Sequence, residues 1–530
     1  MNHTIRKDGN TMKHARRSLS ALLALLMLLS LFAACSSNEK GNDFGDGYYP
    51  PNNGPDFDIE MEAGTQEEAE TDGGIDTNAD PNAPLVKENP FIPTAENNIS
   101  TFSADVDTAS YAYFRKLVNN GMGLDMLKKY AVNFRTEEFI NYFKYSAPQP
   151  AENEAFGMQT EIVACPWNAN TVLMRLTLQA ESSVAYEGNN LVFLIDVSGS
   201  MNSNDKLGLL KTSFSYLIGN LGADDRVSIV TYSGKEAVIL DGCSGADSQT
   251  ILSAVNSLKA SGSTNGEAGL TKAYEIAEKN YLEGGNNRII MASDGDLNVG
   301  ISSKEELKAF VEQKRDGGIY LSVLGFGSGN YRDANMEALA DNGNGVYYYI
   351  DGTSEAEKVF GTDLLGTLYT VAQDVKLQLE FDPQYISSYR LIGYENRMLS
   401  EEDFEDDTKD AGDVGSGHQV TVCYELTLAE GARTAGGPWM MLAIRHKAPG
   451  ETVSQEHNYA IGAQNLPGEV REDTAFISCV IRTVMILHNS KYAKDLSLID
   501  VLEDLQALDL SDYPDRAEFR DLIAKIVNDQ

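Results

Sequence analysis

Apolar residues recur along this chain in two rhythms, and the changes between them divide it. In 108–119, Tyr111, Phe114 and Val118 return at helical spacing, and 135–143 repeats the pattern. Between Met158 and Gln179 the rhythm becomes alternation, with Val172, Met174, Leu176 and Leu178 set against polar neighbours, which predicts strands. A middle section then interleaves apolar runs with helical stretches. The runs are 191–196, 226–232, 288–293, 320–326 and 346–350, with a short edge at 237–240. The first helical stretch carries Leu207, Leu210, Phe214, Leu217 and Leu221 as one stripe. Strand–helix alternation with near-continuous apolar strands predicts an α/β domain, doubly wound around a mostly parallel sheet.

After Val371 the pattern is strand-like again, at 375–381, 389–394, 419–427 and 440–446. These strands are expected to be antiparallel and to pair with those of 158–179, so that the α/β domain is inserted between strands of one β-sandwich. Stretches 474–488, 496–507 and 516–527 read as helices. The expected partition is a leader (1–34), an acidic tether (35–95), a helical N-terminal region (96–150), sandwich strands (151–189), the α/β domain (190–371), the rest of the sandwich (372–470) and a helical C-terminal region (471–530).

The N-terminus changes the picture of location. Arg6, Lys7, Lys13, Arg16 and Arg17 precede an almost wholly apolar stretch, 19–34. It is short for a membrane span, which needs about 20 apolar residues, and fits a secretion signal. Small residues before Cys35 resemble a lipobox, with Phe32 where Leu is more usual; Cys35 is then the lipidated first residue of the mature protein. A plain cleaved signal or a short anchor helix is the alternative. The tether, with Asn52-Asn-Gly-Pro-Asp-Phe-Asp58 and Glu67-Glu-Ala-Glu70, has too few apolar residues to offset its ordering entropy. With no second apolar segment of spanning length, the chain is expected at the cell membrane, held by lipid and facing away from the cytoplasm.

A net charge of −37 argues against nucleic acid and against anionic lipid as partners. Beyond Cys35 the cysteines are Cys165, Cys243, Cys423 and Cys479, without metal-ligand spacing. Buried thiols are expected, with a Cys165–Cys423 disulfide as the alternative. His418, His446, His457 and His488 are scattered and form no metal motif. Asp107, next to Asp105, is expected to cap the helix that follows. Asp410 and Asp413 sit among glycines in what reads as a turn, with a cation loop as the alternative. Gly325-Phe-Gly-Ser-Gly-Asn330 lacks the Lys-Ser/Thr of a phosphate loop and reads as a turn at a strand end.

The chemistry concentrates at Asp196-Val-Ser198-Gly-Ser200, where an apolar strand ends. One carboxylate and two hydroxyls at alternate positions suit a hard divalent cation. Downstream stand Ser261-Gly-Ser-Thr264-Asn-Gly266 and a second apolar strand ending in Asp294-Gly295. Both acids end strands, where open α/β sheets bind their ligands.

This trio, in this order, resembles the metal-ion-dependent adhesion site of von Willebrand factor type A (VWA) domains. Ser293 stands where many members have Thr. Further stretches resemble the bacterial YfbK-like lipoproteins, among them Thr101-Phe-Ser-Ala-Asp-Val-Asp107, Cys165-Pro-Trp167, Leu391-Ile-Gly-Tyr-Glu-Asn-Arg397 and Asp406-Asp-Thr-Lys-Asp-Ala-Gly412. The resemblance implies a Rossmann-like VWA fold and a site for Mg²⁺, Mn²⁺ or Ca²⁺. In it Ser198 and Ser200 contact the ion, Thr264 does so in the ligand-ready state, and Asp196 and Asp294 act directly or through water. Two carboxylates roughly balance the ion, leaving it to take an Asp or Glu of a protein partner. It also implies that the last helix of the domain, 354–368, can move with metal coordination. Where integrin β subunits carry further acids, this chain has Ser203 and Asn204, with Asp205 one residue late, so no adjacent metal site is expected. The reading is a non-enzymatic, lipid-anchored binding protein. A structural envelope protein with a silent site is the second reading. A metal-dependent hydrolase is a distant third, because no general base stands beside the ligands.

Overall fold

A computed structural model describes residues 85–528, apart from 153, 183–187, 296–303, 328–332, 364–365, 367, 435–436 and 467–468. The leader, Cys35 and the tether as far as residue 84 lie outside the described residues. In chain order the strands are β1 (Ile92–Pro93), β2 (Ile99–Ser103), β3 (Phe156–Ala164), β4 (Val172–Ala180), β5 (Asn189–Asp196), β6 (Arg226–Tyr232), β7 (Ala237–Ser244), β8 (Asn286–Ser293), β9 (Tyr320–Phe326), β10 (Tyr347–Ile350), β11 (Thr370–Phe381), β12 (Ile386–Ile392), β13 (Val414–Gly415), β14 (Gln419–Leu428), β15 (Pro438–Lys447) and β16 (Gln455–Gly462).

The middle strands form one sheet in the order β10-β9-β8-β5-β6-β7. All its neighbours are parallel except β7, which returns antiparallel along β6. Along β5, Leu191, Phe193 and Ile195 share a core with Leu210, Phe214 and Leu217 of the helix Leu209–Ile218. Val192 and Leu194 point the other way, into a core shared with the helix Gly266–Lys279. Burial on both faces is why these strands read as unbroken apolar runs. The second core also takes in Tyr111 and Phe114 of the helix Ala109–Asn119, and Phe476 and Val480 of the helix Glu472–Leu487. The N- and C-terminal helical regions therefore roof one face of the α/β sheet.

Two antiparallel sheets make the sandwich, β1-β12-β14-β4-β3 and β13-β11-β15-β16, with β2 paired to β11. β4, which precedes the α/β domain, lies against β14, which follows it, in register from Gln419 opposite Gln179 to Leu426 opposite Val172. The α/β domain is thus inserted into the sandwich, as the alternating pattern on either side of it predicts.

Several details differ from the sequence reading. Ordered contacts begin ahead of residue 96: the Leu85 amide donates to the His488 carbonyl at 2.9 Å, and β1 pairs with β12. Residue 108, not 107, is the N-cap of the helix Ala109–Asn119, and it makes no side-chain cap. Asp107 instead accepts a hydrogen bond from the Tyr347 amide at 2.8 Å, and Arg397 lies 3.5 Å from its other oxygen. A long-range backbone partner has displaced the local cap. The expected helix at 135–143 is shorter, Thr136–Asn141. Cys165 and Cys423 are free, buried thiols, and burial pushes the first up to about 11 and the second to about 12. In the loop holding Asp410 and Asp413 both carboxylates meet protein partners: Arg315 pairs with Asp410 at 3.0 Å, and Asp413 accepts from the Asp374 amide at 3.1 Å. No helix among the described residues is long and apolar enough to cross a membrane.

Candidate metal centre

β5 carries Asp196 to the carboxyl end of the sheet, where its side chain is fully buried. Its Oδ1 accepts a hydrogen bond from the Ser198 amide at 2.7 Å. That contact bends the chain back and brings the two serines together, with Ser198 Oγ and Ser200 Oγ sharing a hydrogen bond of 2.9 Å. A single 3₁₀ turn, Gly199–Met201, follows, anchored by the fully buried Met201.

Backbone bonds stitch this loop to its neighbours. The Val197 amide donates to the Tyr232 carbonyl at the end of β6 at 2.9 Å. The Ser261 amide donates to the Val197 carbonyl at 2.7 Å, and the Gly199 amide to the Gly262 carbonyl at 3.0 Å. Gly262 has φ +86°, a conformation that glycine adopts at little cost. Thr264 stands on this stitched segment, half-buried, just before the helix Gly266–Lys279. On the other side Asp294 follows β8 and is buried, and Gly295, at φ +91°, turns the chain away. Thus the structure brings Asp196, Ser198 and Ser200 into one hydrogen-bonded loop, with Thr264 and Asp294 on the two flanking segments.

The donor set is all oxygen, two carboxylates and three hydroxyls, which is what a hard divalent cation takes. Ser198 is 2% exposed while Ser200 faces solvent, so one side of the set is open. Among the described residues no group of three or more His, Cys, Asp and Glu side chains is placed to hold a metal ion. A set of two acids and three hydroxyls is not such a group. Ser203 donates to Asp205 at 2.6 Å, and Lys116 lies 3.6 Å from that carboxylate, so Ser203 and Asp205 are both engaged.

Two residues at the site went unread in the sequence. Tyr232 ends β6 with its phenol buried; burial first, and then the Asp196 carboxylate, raise it well above the usual phenol range. Lys206 lies on the π-helical turn Asn204–Gly208, and its ammonium donates to Asp294 Oδ2 at 2.7 Å and to the Ser200 carbonyl at 3.0 Å. Neither has a signal in local spacing. Each depends on which loops the sheet brings side by side.

Three family models match parts of the chain. Residues 190–362 match the von Willebrand factor type A domain, residues 82–175 match a model described as von Willebrand factor, and residues 366–528 match one described as Uncharacterized protein YfbK, C-terminal. The α/β sheet and the loops at its carboxyl end are accordingly those of a VWA domain, a module that commonly mediates protein–protein interaction. Over 439 residues the chain is 39% identical to Uncharacterized protein YfbK of Escherichia coli, covering 77% of this chain and 74% of that one. It belongs to the YfbK family of VWA-domain proteins. Human inter-alpha-trypsin inhibitor heavy chain H3 is 28% identical over 177 residues, which are 32% of this chain and 20% of that protein. Among solved structures, the von Willebrand factor type A protein from Catenulispora acidiphila is 18% identical, covers 73% of this chain and 89% of its own, and has a TM-score of 0.40.

Proposed function

We propose that this protein is a non-enzymatic binding protein, anchored by lipid at Cys35 and facing away from the cytoplasm. On this reading its VWA domain holds Mg²⁺ or Mn²⁺ through Asp196, Ser198, Ser200, Thr264 and Asp294, and through the ion an Asp or Glu of a protein partner. The observation that carries the reading is the hydrogen-bonded Asp196–Ser198–Ser200 loop at the carboxyl end of a parallel sheet, open to solvent at Ser200. Two carboxylates balance a 2+ ion and hydroxyls add no charge, so the ion retains affinity for one more anionic oxygen.

The test is calorimetric titration of the chain with Mn²⁺ and Mg²⁺, beside Ser198→Ala/Ser200→Ala. Saturable binding by the wild type and none by the double variant is expected. Equal binding by both sinks the site assignment. Absence of binding to the wild type, with and without an acidic peptide present, turns the argument towards a structural envelope role.

A further inference from the structure

The ammonium of Lys206 already serves the anionic oxygen that a metal ion would use. It lies 2.7 Å from Asp294 Oδ2 and 3.0 Å from the Ser200 carbonyl, with the side chain 13% exposed. The stem runs in a slot rather than through solvent. A Cβ added at Gly327, beyond the end of β9, would fall 2.3 Å from Lys206 Cε and 2.9 Å from its Cγ. Gly327 has φ +75°, so glycine meets both the backbone and the space requirement here. The lysine is aimed from the π turn Asn204–Gly208, an extra-residue turn of a kind frequent at functional sites.

We propose that Lys206 is a built-in competitor for the divalent cation, setting the affinity of the site by holding Asp294 until the ion displaces its ammonium. The inference rests on the metal reading above. A charge-assisted bond of this length satisfies one of the two carboxylates that balance the ion. An incoming cation must release it or share Asp294 with a like charge. Only the fraction of molecules in which the pair is open binds at full strength. If the pair is closed about nine times in ten, the apparent affinity is reduced about tenfold. Metal uptake then also frees the turn Asn204–Gly208 from the Asp294 strand end, which links occupancy to the shape of the rim.

The experiment compares Mn²⁺ binding by calorimetry, and thermal midpoints in EDTA and in saturating Mn²⁺, for wild type, Lys206→Met and Gly327→Ala on the full chain. Gly327→Ala displaces the lysine stem sterically, so the idea remains testable should Lys206→Met fail to fold. Both variants are expected to bind Mn²⁺ about tenfold tighter. Both should melt below wild type in EDTA, by a margin that narrows once Mn²⁺ saturates the site. A lysine with a purely structural role would lower both midpoints equally and leave Mn²⁺ affinity unchanged or weaker; that result overturns the inference while the metal reading stands. Binding by neither wild type nor variants removes the metal reading, and the inference with it.

Discussion

Replacing Arg115 by methionine should destabilise the protein strongly, and by an amount that depends on pH. Arg115 leaves the helix Ala109–Asn119 with its side chain 4% exposed and meets three carboxylates. Asp351 lies 2.6 Å away, Glu355 2.7 Å and Glu518 3.1 Å. Tyr142 accepts from the guanidinium at 2.7 Å and donates to Glu355 at 2.8 Å. Glu355 sits on Thr353–Glu357, the start of the last helical segment of the VWA domain, and Glu518 on the C-terminal helix Pro514–Asn528. One guanidinium thus joins three parts of the chain. Glu518 is 41% exposed, so its pair is screened and contributes about 0–1 kcal/mol. Asp351 and Glu355 are 8% and 1% exposed. Stranding buried carboxylates of this kind costs about 3–5 kcal/mol, and this term dominates. Burial already lifts Asp351 above the ordinary carboxylate range against the pull of Arg115. Without Arg115 it rises further. A group raised in the folded state binds protons there more readily than when unfolded, so acidification favours the folded form. The loss should therefore be largest near neutral pH and shrink as pH falls towards the carboxylate range. Urea denaturation followed by circular dichroism at neutral and mildly acidic pH measures it, and adding Glu355→Gln to Arg115→Met should recover part of the loss. A loss below about 1 kcal/mol, or one independent of pH, would refute the reasoning.

Gly269→Ala places a Cβ 2.6 Å from the Tyr232 Cβ, where the helix Gly266–Lys279 crosses the sheet, and should cost about 1–3 kcal/mol. Because Tyr232 borders Asp196, the same variant should weaken Mn²⁺ binding, read by calorimetry. Asp413 lines a cavity of about 170 Å³ with Asp341, Asp410 and Arg397, and burial, then Asp374, raise its pKa from 3.8 to about 7. Stability that depends on its neutral form is present below pH 3.8 and lost as pH rises to about 7. Asp413→Asn should flatten that fall, and an unchanged pH profile of the urea midpoint would count against the shift. On the proposed function, association with an acidic peptide should speed up as salt rises, since the chain carries −37 and added ions shorten the reach of repulsion. Stopped-flow rates that fall with salt would contradict it.

What the sequence made legible follows from how local each cause is. β5, β6, β8 and β9 are buried on both faces, so an apolar run alone marks them, and the ends of β6 and β9 coincide with those runs. β16 was unread because Gln455–Gly462 has its apolar residues only at the end, with most of the strand exposed along an edge. β2, Ile-Ser-Thr-Phe-Ser, has only two apolar residues, three apart, and so no alternation to mark it before the helix after it. Asp107 lies one residue ahead of the N-cap and is used elsewhere, because the amide of Tyr347, 240 residues away, arrives with β10. The loop at Asp196 was legible because its carboxylate and two hydroxyls lie at alternate positions of one short segment. Lys206 was not, since its partner Asp294 lies 88 residues on and meets it only once β5 and β8 are paired.

On the proposed function, charge accounts for recognition through a metal ion. A chain with a net charge of −37 offers an acidic partner no long-range attraction, and screening confines repulsion to about 8 Å at physiological salt. At contact range the local balance decides, and Asp196 and Asp294 are themselves anionic. Lys206 offsets one of them but engages it directly, at 2.7 Å. It thus has no charge to spare for a third carboxylate without giving up Asp294. A 2+ ion held by both acids balances their two charges and still takes a further oxygen, which neither lysine nor hydroxyl does. On the proposed reading, ion supply then decides whether the acidic rim repels or binds an acidic partner, and Lys206 sets the ion concentration at which it changes.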